Sequence, residues 1–195
     1  ALSKKLDVIA NNLANVNTVA FKRSRVNFED LLYQVRRQPG TENAVGDVTP
    51  TGVETGTGVR VSSTQPNFEQ GSLNRTDREL DIAIEGEGFF KVVVPEELGP
   101  SGIAYTRAGN FIANAEGELV LGNQNGFRLD PGITLPDDTT SVTISSDGRV
   151  YATTPGDTEP EEQGQIELAR FINPEGLLAK GQNIYVETHA SGVPI

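Results

Sequence analysis

The segment SVTISSDGRVYAT, residues 141–153, carries the clearest indication of the fold. Apolar residues alternate with polar ones on both sides of Asp147-Gly148, a pair that favours a tight turn. The apolar residues of this pattern are Val142, Ile144, Val150 and Ala152. Because a period of two is typical of a half-buried strand, we predict a β-hairpin here.

Similar signals recur on both sides of this hairpin, from Phe68 onward. Residues 81–85 (DIAIE) alternate, 86–95 (GEGFFKVVVP) supply an apolar run, and 104–121 (AYTRAGNFIANAEGELVL) read as a second hairpin. Tetrapeptides that begin with Asn or Ser and end with Gly separate the strand-like runs, as type I turns prefer. They occupy residues 114–117, 123–126, 145–148 and 173–176. We predict an irregular antiparallel β domain over residues 68–195, either a sandwich or a barrel.

Residues 1–35 have a different pattern, which predicts a helical assembly segment. Apolar residues spaced 4, 3, 4 and 3 apart form a heptad seam of the coiled-coil type. These residues are Leu2, Leu6, Ile9, Leu13 and Val16. A helix this short is marginal in water, so the seam needs a partner. The partner is either the local β domain or a helix outside this segment.

Residues beside and after the seam extend the predicted assembly surface. Asn12 and Asn15 are expected to hydrogen-bond to helices of neighbouring subunits, since buried amides require partners. A basic patch at residues 22–25 follows Phe21. A second, shorter helical face is then predicted at i, i+3, i+4 and i+7. Its residues are Phe28, Leu31, Leu32 and Val35.

Residues 36–67 are rich in glycine and proline and contain no aromatic residue, which predicts an extended connector. Such a connector is either a flexible linker or a segment ordered by packing against neighbouring copies. The alternation at residues 58–62 favours a short strand near its end. The predicted fold is therefore mainly β, with a helical segment (1–35), a connector (36–67) and an antiparallel β domain (68–195).

Composition excludes several classes of function. The 195 residues carry a net charge of −11, which disfavours binding to nucleic acid, and no apolar run is long enough to insert into a membrane. Cysteine is absent, so thiolate metal sites lack their ligands, and any Ser–His catalysis would have to rest on the single histidine, His189. The charge is uneven, because residues 1–40 hold seven Lys/Arg and three Asp/Glu, a net of +4. We predict no catalytic residues, no metal and no cofactor.

Individual motifs do not change this prediction. Gly86-Glu87-Gly88 lacks the third glycine of a nucleotide-binding loop and indicates a tight turn instead. Asp137-Asp138 lacks the spacing of a calcium loop. His189 has no second ligand nearby in the sequence and is expected to lie on the surface.

The N-terminal residues LDVIANNLANVNTVAFKRSR (6–25) closely resemble the signature of flagellar axial proteins, the rod and hook subunits. LDIAIEGEGFFKV (80–92), AYTRAGNF (104–111) and NIYVET (183–188) are similar to positions shared across that family. FEDLLYQVRRQPG (28–40) resembles the distal-rod branch in particular. One departure is Val19-Ala20, where the family commonly has a glycine before the Phe-Lys pair.

The resemblance implies a structural protein of the flagellar basal body that polymerises helically into the hollow distal rod and transmits torque to the hook. The implied partners are further copies of this chain and neighbouring rod and hook subunits. The implied location is a rod crossing the periplasm, reached through the flagellar export system without a cleaved signal peptide.

The resemblance also implies that the chain is a fragment. The sequence contains no methionine, so we expect it to begin downstream of the start of its gene. A C-terminal helix of the same protein, outside this chain, is then the expected partner of the seam. Two alternatives remain at this stage: a proximal rod or hook subunit, and a secreted β-rich domain that binds or cleaves carbohydrate.

Overall fold

The computed structural model describes residues 2–40, 42, 47–48, 50–99, 101–156 and 159–195. Within these ranges the chain forms one α-helix, α1 (Leu2–Ala14), one short 3-10 turn (Pro174–Gly176) and fifteen strands. The strands are β1 (Ser24–Asp30), β2 (Tyr33–Arg37), β3 (Val53–Gly56), β4 (Val59–Pro66), β5 (Phe89–Val93), β6 (Ile103–Thr106), β7 (Phe111–Ala113), β8 (Leu119–Leu121), β9 (Arg128–Asp130), β10 (Ser141–Ile144), β11 (Arg149–Thr153), β12 (Glu161–Gln165), β13 (Leu168–Ala169), β14 (Leu178–Gly181) and β15 (Ile184–Val186). The predicted mainly-β fold with an N-terminal helix is confirmed.

Contacts divide the chain into two compact units. The first unit consists of residues 1–17 and 23–67, and the second of residues 18–22 and 68–195. The division of the chain into 1–35, 36–67 and 68–195 stays a prediction, and residues 41, 43–46 and 49 of the connector lie outside the described residues.

The first unit contains α1 and two antiparallel strand pairs. β1 pairs with β4 from Ser24↔Pro66 to Asp30↔Val59, with a bulge between Asn27 and Phe28, and β2 pairs with β3. Helix α1 contacts β1. Every described residue of this unit is exposed or only half-buried, so these elements do not enclose an apolar core of their own.

The second unit contains an eight-stranded sheet in the order β14-β15-β6-β5-β9-β8-β7, with β13 added against β5, and a three-stranded sheet in the order β10-β11-β12. All pairings in both sheets are antiparallel. Each strand is short, so the unit depends on side-chain packing between strands as much as on its hydrogen-bond ladders.

The buried residues of the second unit form three apolar clusters. The largest surrounds Phe90 and Phe111, whose rings meet edge to face at 5.2 Å between centroids. A second cluster includes Val92 and Ile184, and a third is aromatic, with Tyr105 against Phe171 at 4.7 Å between centroids. Edge-to-face pairs of this kind add to the free energy gained by burial.

The hairpin predicted at residues 141–153 is present. Val142 pairs with Ala152 and Ile144 with Val150, in the register that the alternation predicts. Gly148 closes the turn at a φ of +83°, a conformation in which a side chain is strained. Gly117 likewise has a positive φ, between β7 and β8. The strand predicted at residues 58–62 is present as the longer β4.

Two local predictions are wrong, and a third is confirmed only in part. The second helical face at residues 28–35 is absent, since β1 and β2 occupy this stretch. Residues 81–85 form a single bridge, Asp81↔Asn110, and otherwise no strand; Ile82 and Ile84 instead pack their side chains on the largest cluster. The fourth tetrapeptide does form a turn, in which the Gly176 amide donates to the Asn173 carbonyl oxygen at 3.1 Å, but Gly176 does not have the expected positive φ.

Candidate assembly surface

The leucine seam, which we define as Leu2, Leu6, Ile9, Leu13 and Val16, lies open to solvent. Its side chains are 50–78% exposed. The first four share one stripe of α1, and Val16 continues it in the turn that follows Ala14. Since an exposed contiguous apolar stripe marks an interaction surface, the structure brings these five predicted residues together as a candidate interface.

A side of α1 adjacent to the seam, roughly 110° around the helix axis, faces its own unit. Val8, Asn12 and Asn15, spaced at i, i+4 and i+7, are the half-buried residues of this segment. Asn12 accepts a hydrogen bond from the Ser24 amide at 3.0 Å and donates one to the Ser24 carbonyl oxygen at 2.8 Å. Asn15 donates to the Asn11 carbonyl oxygen at 2.9 Å. Both amides therefore bond within the chain, whereas we predicted bonds to neighbouring helices.

The remaining predicted interface residues belong to parts of the chain other than α1. Phe21 lies in the second unit, half-buried, with its amide donating to the Thr18 carbonyl oxygen at 3.2 Å. Phe28 lies in β1 opposite Val61. Leu31 and Leu32 follow β1, where Leu31 is half-buried and Leu32 is 91% exposed. The first unit thus presents apolar side chains from strands as well as from the helix.

A polar ladder joins β1 to β4 and was missed by the sequence analysis. The guanidinium of Arg25 donates to the side-chain oxygen of Gln65, and the amide of Asn27 donates to Ser63 Oγ at 3.0 Å. Glu29 and Arg60 form an ion pair in the next register position. The alternation of polar residues at 25, 27 and 29 was the available signal for this strand.

The second unit contains an open groove of about 300 Å³. Its lining is mostly amide side chains on an apolar floor. The lining residues are Val19, Ala108, Asn110, Leu121, Asn123, Gln124, Gln182 and Asn183. Asn183 donates to the Val19 carbonyl oxygen at 2.7 Å, and Asn125 donates to Gln182 Oε1 at 3.0 Å. Because none of the lining side chains is an acid, a base or a nucleophile, the groove has no group for acid–base or covalent catalysis.

The shifted titratable groups of the second unit have structural causes. Burial, reinforced by the carboxylate of Glu187, raises the pKa of Tyr105 to about 12. A hydrogen bond from Lys91 to Glu167, at 2.8 Å, raises the pKa of the Lys91 ammonium group. These two shifts follow from burial and from neighbouring carboxylates, since Lys91 also lies 3.6 Å from Asp130.

The motifs set aside in the sequence analysis also have structural roles or are exposed. The guanidinium of Arg107 donates to the Gly86 and Gly88 carbonyl oxygens, so the Gly86–Gly88 turn holds a side chain by its backbone. His189 is exposed. Across the part of the chain that the structure describes, no cluster of three or more His, Cys, Asp or Glu residues could hold a metal ion. Within those same ranges, no helix is long and apolar enough to cross a bilayer.

Comparisons with known proteins point to one group of proteins. A family model described as "Flagella basal body rod protein" matches residues 1–22, and one described as "Flagellar hook protein FlgE/F/G D1 domain" matches residues 83–152. The chain is 45% identical to the flagellar basal-body rod protein FlgG of Buchnera aphidicola (Schizaphis graminum), over 97% of this chain and 71% of that protein. It is 44% identical to FlgG of Caulobacter vibrioides, over 96% of this chain and 70% of that protein.

A hook protein is also similar, over a smaller part of its own length. The flagellar hook protein FlgE of Helicobacter mustelae is 39% identical over 86% of this chain, but only 35% of that protein is covered. The match at residues 1–22 contains the leucine seam, so the candidate interface lies within the part of the sequence that is shared with rod proteins.

Proposed function

We infer the function of this chain from its family: it belongs to the FlgG family of flagellar basal-body rod proteins, and it is a structural subunit of the flagellar rod. As a rod subunit, it assembles with other flagellar subunits in the basal body. The comparisons do not favour a carbohydrate-active domain, and rod proteins are covered over more of their length than the hook protein is.

We propose that copies of this protein stack helically into the hollow distal rod, which transmits torque to the hook. The exposed leucine seam is the observation that carries this proposal. A helix that lies on its own domain normally turns its apolar face inward. Here α1 turns a face with two asparagines toward its own unit and leaves its leucines outside.

The energetic consequence favours association. Fully burying an aliphatic side chain contributes roughly 1.5–3 kcal/mol. Because the four seam residues of α1 are 50–78% exposed, covering what remains exposed contributes roughly 4–8 kcal/mol. The occupant that we propose is the C-terminal helix that the family resemblance implies for the same protein, together with α1 of adjacent copies. The proposed contact is heterologous and its rotation does not close, so that its repetition builds a helix in place of a ring.

The strands of the first unit support the same proposal. Phe28, Tyr33, Val35 and Val53 are 38–54% exposed on the paired strands, although aromatic and β-branched residues of strands usually cover a core. A two-stranded ribbon is only marginally stable alone in water. We propose that these ribbons are held by neighbouring rod and hook subunits.

The remaining parts of the proposal concern location and chemistry. The protein has no enzymatic activity, and it reaches the rod in the periplasm through the flagellar export system without a cleaved signal peptide. The open groove of the second unit, with its lining of amides and aliphatic residues, is consistent with a role that does not include catalysis.

A double substitution on the seam tests the proposal. In the full-length protein, Leu6→Asp with Leu13→Asp places two charges in the buried contact, and we expect rod assembly to be abolished. Electron microscopy of purified basal bodies and sedimentation of the subunit measure this loss. The circular dichroism of the second unit's strands should stay unchanged.

The matched control adds the same two charges elsewhere on α1. Ser3→Asp with Asn11→Asp alters exposed residues off the seam, and this variant should assemble. Normal rods from the seam variant would refute the proposal, as would an equal loss in both variants.

A further inference from the structure

Asn12 makes a two-point contact that ties α1 to the beginning of β1. Its side-chain oxygen accepts from the Ser24 amide at 3.0 Å, and its side-chain NH₂ donates to the Ser24 carbonyl oxygen at 2.8 Å. A carboxamide carries the same donor and acceptor as a peptide group. Asn12 therefore binds Ser24 in the way that a residue of a partner strand would.

The register of β1 explains why Ser24 has both backbone groups available. The Asn67 amide donates to the Arg23 carbonyl oxygen at 2.9 Å, so residues 23 and 67 form a hydrogen-bonded pair. Hydrogen-bonded and non-hydrogen-bonded pairs alternate along antiparallel strands, which makes Ser24↔Pro66 a non-hydrogen-bonded pair. The backbone N–H and C=O of Ser24 therefore point away from β4. Proline has no backbone N–H, and at this position of β4 none is needed for the ladder.

Neighbouring contacts place this link in the middle of the inner face of α1. Val8 lies one turn before Asn12 and Asn15 lies one turn after it, and both are half-buried. A single hydrogen bond allows rotation about its axis, but two bonds to one residue fix the helix in rotation as well as in distance. Because the helix cannot rotate, the adjacent leucine seam keeps one orientation relative to β1.

We propose that Asn12 is the positioning residue of the assembly surface: its amide caps the open edge of β1 at Ser24 and sets the rotation of α1, so that the leucine seam faces away from its own unit. The inference rests on the proposed function, since the seam is the surface that it orients. Asparagine is unfavourable in a helix by about 0.5 kcal/mol relative to alanine, and the two hydrogen bonds more than offset this cost.

The experiment compares Asn12→Ala with Asn11→Ala in the full-length protein. Both substitutions raise helix propensity equally, so the helical signal in circular dichroism should not fall in either variant. Asn11 is exposed and one position away, which makes Asn11→Ala the matched control. In Asn12→Ala the critical concentration for rod assembly should rise at least about tenfold, whereas Asn11→Ala should assemble as the parent does.

Two further measurements separate orientation from general destabilisation. Hydrogen exchange at the Ser24 amide should accelerate about tenfold in Asn12→Ala, because that N–H loses its acceptor. The chain has no cysteine, so spin labels at Lys5→Cys and Asp30→Cys report the distance from α1 to β1 in the unassembled subunit. This distance distribution should be narrow in the parent and in Asn11→Ala, and broad in Asn12→Ala.

The outcomes distinguish the inference from the proposed function. If Asn12→Ala assembled as the parent does, the role of Asn12 would be overturned. The same would follow if its label-distance distribution stayed as narrow as that of the parent, even with impaired assembly. Neither result would overturn the seam proposal. Normal rods from the Leu6→Asp, Leu13→Asp variant would overturn the seam proposal itself. Asn12→Asp supplies a second variant, since an ionised carboxylate still accepts from the Ser24 amide but cannot donate to the Ser24 carbonyl oxygen. Its assembly and its label distances should change as in Asn12→Ala, whereas hydrogen exchange at the Ser24 amide should stay close to that of the parent.

Discussion

The two units of this chain reach order by different means. The second unit encloses three apolar clusters, with Phe90 and Phe111 almost completely buried. The first unit encloses none among its described residues, and hydrogen bonds and ion pairs hold it together, as between Glu29 and Arg60. A core that is complete within one subunit allows independent folding, whereas apolar residues left outside require a neighbour. We propose that this contrast separates a part that folds alone from a part that assembles.

A pair of phenylalanine substitutions tests this contrast with the largest expected effect. Phe111→Ala empties a site that is 0% exposed, and we expect the free energy of unfolding of the second unit to fall by about 3–5 kcal/mol. Phe28→Ala removes a side chain that is 38% exposed in β1, and it should change that free energy by less than about 0.5 kcal/mol. Urea unfolding followed by circular dichroism measures both. Similar losses in the two variants would remove the distinction between the units.

A glycine substitution sharpens the description of the second unit. A Cβ added to Gly109 would stand 1.7 Å from the Ile82 carbonyl oxygen, and the Ile82 amide donates to the Gly109 carbonyl oxygen at 2.8 Å. Gly109→Ala must displace this backbone, so we expect a destabilisation of about 3 kcal/mol in thermal unfolding. Gly71→Ala is the control, because its added Cβ has no neighbour within 4 Å. An unchanged melting temperature for Gly109→Ala would contradict the packing of residue 82 against residue 109.

Alkaline titration gives the smallest effect of the three. The pKa of Tyr105 is raised to about 12, against 10.0 for an unperturbed tyrosine, mainly by burial. As pH rises from 10 to 12, the unfolded chain loses the phenol proton first. The free energy of unfolding should therefore fall by roughly 2 kcal/mol over that range, and the full contribution is present well below pH 10.

Tyr105→Phe has no ionisable phenol at this site, and its stability should fall less steeply between pH 10 and 12. Chemical denaturation at a series of pH values measures the difference. A variant that loses stability as steeply as the parent does would show that the aromatic cluster does not hold Tyr105 in its neutral form.

The sequence was sufficient to predict structure where a pattern and its partner lie close together. The hairpin around Gly148 joins residues only a few positions apart, and its turn glycine and alternation agree. The helix and its exposed seam could also be predicted from the sequence. An apolar spacing of 3.5 residues on so short a helix indicates that the helix packs against a partner.

Long-range pairing explains the main error. The apolar residues at 28, 31, 32 and 35 fit a helical spacing, but β1 pairs with β4, about 35 residues later in the chain. Nothing in a local window shows that Arg25 meets Gln65 or that Asn12 meets Ser24. Tertiary pairing therefore overrode the local preference.

Residues 81–85 show a different limit. Ile82 and Ile84 alternate with polar residues as a strand would, and they do pack on the largest cluster, yet the backbone makes only the bridge at Asp81. Alternation reports which side chains are turned inward. It does not report whether a neighbouring strand is present to complete a ladder.

The link between Asn12 and Ser24 also has a consequence for mechanical work. Neither group carries a charge, so the angle at which α1 leaves the strand does not depend on ionic strength or on the protonation of carboxylates. Exposed ion pairs such as Glu29 with Arg60 weaken as salt rises, whereas an amide bound to a peptide group does not. A rod whose subunits contain this link would keep the orientation of α1 when the ionic strength or pH of the surroundings changes.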